Sequence, residues 1–200
     1  PFQVEVVRTD RKKSASIRLL GDLVKVSVPM TLSDGRIREL VTKRTPWIKS
    51  KLQEQSNRPI PAPREYISGE TVTYLGKNYR LKVLIGDQPS IKLRRGYVEA
   101  TVSKTDVDPK NTIRSLLQDW YRSHAQKRLG EKTSRLAKVV GVNPSSVTVK
   151  NYKSRWGSCS LRGDISYNWR IILAPHSIVD YVVVHELCHM LEHNHSSKYW

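Results

Sequence analysis

Leu23-Val-Lys-Val-Ser-Val28 alternates apolar and polar side chains at a period of two, the spacing of a strand with one buried face. Phe2-Gln-Val-Glu-Val-Val7 and Ser16-Ile-Arg-Leu-Leu20 read as further strands, with Gly21-Asp22 as the turn into the third. The period then changes. Ile37, Leu40 and Val41 share one face of a helix opened by Ser33-Asp34 and running to about Arg44. Thr45-Pro46 has the form of an N-cap followed by proline at the first helical position, which predicts a second helix from Pro46 to about Gln55, packed through Trp47, Ile48 and Leu52. The proline-rich run Asn57–Arg64 predicts a linker. Residues 71–84 predict a hairpin turning at Gly76-Lys77-Asn78, and residues 90–102 a second one turning at Arg95-Gly96.

A long helix comes next, from Asp108-Pro109 to Val140, stopped by Gly141. Ile113, Leu116, Leu117, Trp120, Tyr121, Leu129, Leu136 and Val139 give it an apolar stripe. Arg114, Arg122, Lys127, Arg128, Lys132, Arg135 and Lys138 cover much of the rest, as a solvated basic face or as a phosphate-tracking one. Residues 147–152 and 165–173 predict strands, and Ala174-Pro175 leads into a last helix. The expected fold class is α+β: a mostly antiparallel N-terminal β region with a helical pair (residues 1–105), then a half built on the long helix, a small sheet and the last helix (residues 106–200).

Composition narrows the class. The 200 residues carry a formal net charge of +17, yet over residues 151–200 Lys and Arg outnumber Asp and Glu by only one. The excess on the front three quarters suits an anionic partner, nucleic acid first, or a surface that aids solubility; both readings stay open. No run of about 20 apolar residues exists, so no membrane span is expected, and the first residues lack a signal-peptide pattern. Cys159 and Cys188 alone make no disulfide framework, which favours a reducing, cytoplasmic setting.

The chemistry gathers near the end of the chain. His185-Glu186-x-x-His189 puts two imidazoles on one helix face, one turn apart, where both can grip one metal ion. Glu186, beside the first ligand, is placed to accept a proton from a water the metal activates. The competing reading is an amphipathic core helix with satisfied histidines. Chance supplies this pattern in about one chain in 130 of this composition. The nearby His195 and the apolar run Ile178–Val184 favour a metal, and zinc is the expected cofactor. For the third ligand, His193 on an unbroken helix would lie about 6 Å further along the axis from His189. Asn194-His195-Ser-Ser favours a turn that brings His195 back, so His195 is preferred over His193 or an acidic residue past Trp200. Cys188 is a weaker ligand candidate and more simply a small buried residue.

With these residues set out, the chain resembles the YgjP-like (SprT-related) zinc metallopeptidase family. The resemblance rests on Arg155-Trp-Gly-Ser-Cys159, Asn168-Trp-Arg170, Ala174-Pro175, Asp180–His189 and Asn194-His-Ser196, in order and closely spaced. The strong matches cover residues 150–200. The resemblance implies a zincin-like catalytic half, with zinc on His185, His189 and His195 and Glu186 as base. The His185–His195 spacing equals that of the metzincins, but Glu192 stands where their pattern has glycine, which counts against that assignment.

Three functions compete. The first is peptide hydrolysis at zinc, with Arg155, Tyr167 or Tyr199 as candidates to bind substrate and stabilise the oxyanion, and with a peptide or protein as partner. The second is a zinc-dependent nucleotide pyrophosphatase, in which basic residues hold phosphates. The third is a non-enzymatic nucleic-acid module with structural zinc, which calls for a fourth protein ligand such as His193 or Cys188. The sequence leaves the oligomeric state open.

Overall fold

The structure, a computed structural model, describes residues 2–11, 14–57, 62–197 and 199. The chain forms two compact units, residues 1–63 and 64–200. In the first, β1 (Gln3–Thr9), β2 (Ser16–Leu20) and β3 (Leu23–Pro29) make a sheet of order β1-β3-β2. β3 lies between a parallel and an antiparallel neighbour. Its alternate residues Val24, Val26 and Val28 are fully buried and form a core with Ile37 and Ile48 of α1 (Asp34–Ser56). Residues 58–61 of the proline-rich run expected as a linker lie outside the described residues.

The expected helical pair is one helix. Ser33 caps α1, its side chain accepting from the Arg36 N–H, and the helix runs through Pro46 to Ser56. Proline costs the helix one N–H, the one that would donate to the Thr42 carbonyl; in the preceding turn Thr45 Oγ1 adds a bond to the Val41 carbonyl at 2.9 Å. Ile37 and Ile48, either side of the proline and about three turns apart, fall on one face. Both are buried, so packing holds the helix together where local signals predicted a break.

The second unit contains two sheets. β4 (Thr71–Tyr74), β5 (Lys77–Ile85), β6 (Ser90–Arg94) and β7 (Tyr97–Val102) take the order β4-β5-β7-β6. Both expected hairpins are present, joined by parallel pairing of β5 with β7, but the first turns at Leu75-Gly76 and not at Gly76-Lys77-Asn78, because Lys77 and Asn78 already pair with Tyr74 and Thr73. β8 (Ser146–Lys150), β9 (Gly157–Cys159) and β10 (Asp164–Asn168) take the order β8-β10-β9. All three sheets thus contain one parallel pair. α2 (Pro109–Val140) is capped by the Asp108 side chain and closed by Gly141 at φ 80°. Its core register, from Ile113 and Leu117 through Tyr121, Ala125 and Leu129 to Thr133 and Ala137, steps by four and includes small residues that apolarity alone did not mark. Val139, expected in the stripe, is 80% exposed. Four of the seven basic residues named on α2 pair with carboxylates: Arg122 with Asp119, Arg128 with Glu131, and Lys132 and Arg135 with Asp180. That favours the solvated reading of this face.

One core cluster runs from Val72, Leu81 and Val98 of the four-stranded sheet through Leu117 and Leu129 to Tyr167, Val183 and Leu187. The division therefore falls at 63/64 and not at 105/106, because the 71–102 hairpins bury their apolar face with the C-terminal elements. The first hairpin also positions the start of the last helix. Leu75 and Gly76 both take positive φ at its tip, as a two-residue hairpin turn requires. Their N–H groups donate to the carbonyls of Ile172 (2.8 Å) and Leu173 (3.2 Å). A Cβ on Gly76 would lie 2.7 Å from Pro175 Cα, so only glycine allows this approach to the segment entering α3 (His176–Cys188). The strand expected over 165–173 ends at Asn168, whose side chain accepts from the Arg170 N–H and opens a 3-10 helix, Trp169–Leu173. Among the described residues no helix is long and apolar enough to cross a membrane.

Candidate metal centre

α3 buries Val179, Val182, Val183 and Leu187, which leaves His185 and His189 on its less buried side, one turn apart. The helix stops at once: the N–H groups of Leu191 and Glu192 both donate to the Cys188 carbonyl. His193 is therefore not carried round on a helix, and it is exposed. The chain folds back through Asn194, whose side chain accepts from the Ser196 N–H, and delivers His195. Ligating atoms of His185, His189 and His195 all lie within 4.8 Å of one another. Nε2 of His185 and of His195 are 3.1 Å apart, close to the roughly 3.4 Å edge of a tetrahedron with metal–nitrogen bonds of about 2.1 Å. Neither His193 nor Cys188 joins the cluster among the described residues.

The imidazoles are held as ligands need to be. His189 Nδ1 lies 3.2 Å from the Glu192 carbonyl, a contact that fixes the tautomer and leaves Nε2 as acceptor. Burial, then the two neighbouring imidazoles, push the pKa of His185 below its ordinary value and favour the neutral ring that binds metal. Tyr199 packs its ring about 5 Å from all three imidazoles and donates its hydroxyl to the His185 carbonyl at 2.8 Å. Burial pushes that phenol up to about 12. In this arrangement Tyr199 braces the cluster.

Glu186 is 5% exposed. Burial raises its carboxyl pKa to about 7, against the lowering pull of Arg155. Thr133, Ser166 and Asn168, the other buried polar residues, are each hydrogen-bonded; Glu186 has no such bond among the described residues. Its oxygens are not among the fully buried atoms that lack a partner, so a buried side chain presents its carboxyl at the surface, which makes it a candidate functional group. Its place is set by β9, the edge strand: a Cβ on Gly157 would collide with the Glu186 side chain, 2.7 Å from Cγ and Cδ. By sequence alone Trp156-Gly157 reads as a tight turn, which does not reveal this contact. The available signal is a glycine beside apolar strand residues, which often marks close backbone approach.

The remaining candidates separate. Arg155 is exposed, 5.6 Å over the Tyr152 ring, and its charge is felt at Glu186. Tyr167 has no exposed surface, and its hydroxyl lies 3.0 Å from Thr133 Oγ1. It supports the site from the core and does not reach a substrate, because β10 is the central strand of its sheet and turns this ring inward. Asp180, one turn and a half before His185, ties α3 to α2 through Lys132 at 2.5 Å.

The family described as YgjP-like, metallopeptidase domain, matches residues 13–200. The chain belongs to this family. Comparison with curated proteins and with solved structures gives no match. Membership makes the YgjP-like chain a metallopeptidase-type hydrolase and implies a metal cofactor. The His185–His189–His195 cluster fits that requirement in donor chemistry and spacing.

Proposed function

We propose that the chain is a zinc-dependent peptidase in which His185, His189 and His195 hold the ion and Glu186 is the general base. The observation that carries this reading is the convergence of three imidazoles beside a buried carboxylate of raised pKa. Three side-chain donors, and not four, converge among the described residues, which favours a catalytic site over a structural one. A zinc ion held there supplies Lewis-acid activation of the attacking water and of the scissile carbonyl. Glu186 accepts the water proton on its carboxylate as the oxygen bonds to the carbonyl carbon. It returns that proton to the amide nitrogen as the C–N bond breaks. Burial makes this carboxyl more basic than an ordinary glutamate, which suits a group that accepts a proton and gives it back. Arg155 is the exposed cation on hand to share the developing oxyanion charge; the Tyr199 proton is engaged by the His185 carbonyl.

Glu186→Gln keeps the volume and removes the base. The variant should retain bound zinc and lose turnover by about 10³-fold, checked by metal analysis alongside peptide cleavage. An undiminished rate rejects the assigned base. Parallel incubation with casein and with nucleoside triphosphates, each with and without chelator, separates peptidase from nucleotide hydrolase.

A further inference from the structure

We propose that the groove beside Glu186, lined by the 151–156 loop with Asn168 and Arg170, is an anion subsite that receives an acidic side chain of the peptide substrate. The inference rests on the peptidase reading above. The groove has a volume of about 520 Å³ and carries three cations, Lys153, Arg155 and Arg170. None of the three forms an ion pair with a carboxylate among the described residues, in contrast to Arg122, Arg128, Lys132 and Arg135 on α2. Like charges gathered without counter-charge raise the local potential and draw an anion.

Arg170 is held ready for one. Its Nη1 donates to Asn151 Oδ1 at 2.5 Å, and Trp169 Nε1 shares the same oxygen at 3.3 Å. Its guanidinium lies 4.5 Å from the Trp169 ring centre. The anchor is a neutral amide, so the orientation is fixed while the charge is left uncompensated. A guanidinium has five N–H donors, and one is used here. The loop itself is fastened to the site: Asn168 Nδ2 donates to the Tyr152 and Arg155 carbonyls at 3.0 and 3.2 Å, and the Asn168 N–H donates to the Trp156 carbonyl at 2.8 Å.

Arg155 links groove and chemistry. Its charge reaches the Glu186 carboxyl, and Gly157, two residues on, touches that side chain. Arg155 thus belongs both to the groove's lining and to the electrostatic surroundings of Glu186, and the anion proposed for the groove is a side chain of the same peptide. Exposed Trp156 offers apolar contact at the rim. The volume lies in the range of small-ligand sites and suits one or two side chains. A nucleic-acid strand needs cations spaced along a track, and the α2 face that would extend one is largely paired.

The test uses the full-length zinc-loaded protein carrying Glu186→Gln, so that peptides bind without being cut. Fluorescein-labelled peptides with Asp or Glu stepped through each position are compared with their Asn or Gln counterparts by anisotropy. The acidic peptide should bind about tenfold tighter at one position, and Lys153→Gln with Arg170→Gln should bring the ratio to within twofold while zinc content and circular dichroism stay unchanged. Lys153→Gln alone, at an exposed loop position, serves if the double variant does not fold. Cleavage of the same pairs by the wild type should show the same tenfold ratio in kcat/KM. Equal binding of acidic and amide peptides overturns the subsite. So does displacement by nucleoside triphosphate or oligonucleotide without any acidic-peptide preference. Tight acidic-peptide binding with no cleavage of any peptide supports the subsite and rejects the peptidase reading.

Discussion

The two units bury different things. Residues 1–63 close a small core of aliphatic side chains, Val24, Val26, Val28, Ile37 and Ile48. Residues 64–200 bury aromatics such as Tyr74, Trp120, Tyr121 and Tyr167. They also contain all four buried polar residues found among the described ones: Thr133, Ser166, Asn168 and Glu186. Burying a polar group costs stability unless it is satisfied. Among its described residues the first unit buries no polar side chain. The second meets that cost with hydrogen bonds for three of the four and leaves Glu186 without one, which is where the candidate chemistry lies. The difference teaches that the second unit's core does more than hold a sheet to a helix; it fixes the Glu186 side chain against Gly157 and raises the pKa of its carboxyl.

Three perturbations sharpen the contrast. The largest effect on stability is expected from Ile48→Ala in the full-length chain. Removing a fully buried aliphatic should lower the stability of the first unit by about 3 kcal/mol, seen as an earlier denaturant transition. Zinc content and turnover should stay at wild-type values, and a matched loss of turnover would show that the units are not energetically separate. Next comes Gly157→Ala. Its methyl would meet the Glu186 side chain at 2.7 Å and should cost about 2 kcal/mol by overpacking. Here turnover should fall by more than tenfold at unchanged zinc content; unchanged turnover would mean that Gly157 does not position the base.

The smallest effect is a pH dependence in the metal-free protein. The folded Glu186 carboxyl has its pKa raised from 4.5 to about 7, so the folded state holds that proton more tightly than the unfolded chain. Its contribution to stability is complete below pH 4.5 and is lost as pH rises through 7. Glu186→Gln should therefore gain on the wild type between pH 4.5 and pH 8 by roughly 1–2 kcal/mol after allowance for solvent screening. Denaturant unfolding with chelator at the two pH values measures it. The Ile48→Ala penalty in the other unit should not change with pH.

Much of the second unit was legible locally. Asp108, Pro109 and Gly141 bound α2 as their capping chemistry dictates, and the turns at Gly76 and Arg95-Gly96 appear where positive φ is needed. The approach of His185 to His189 was legible because i, i+4 spacing on a helix is itself geometry. The return of His195 was readable from Asn194 and the serines, since a turn forms from neighbouring residues. What failed were predictions in which distant packing competes with a local signal. Thr45-Pro46 has the form of a helix start, yet Ile37 and Ile48 hold one helix through it. The proline-rich linker is recognisable by composition, but the domain border expected at residue 105 is not there, because periodicity does not reveal which elements share a core. Tyr167 is a substrate candidate by residue type and is enclosed by the fold.

The sequence by itself determined the elements with strong caps and periods, and the spacing of His185, Glu186, His189 and His195, because those depend on residues a turn or two apart. Only the tertiary structure decided that the Gly157 backbone presses on Glu186, that the Leu75-Gly76 tip is fastened to the segment before α3, and that Arg170 leans on Asn151 with its charge unopposed. Each of these joins residues 19 to 99 positions apart, and contacts at that range are selected by how whole faces pack, which no local pattern encodes.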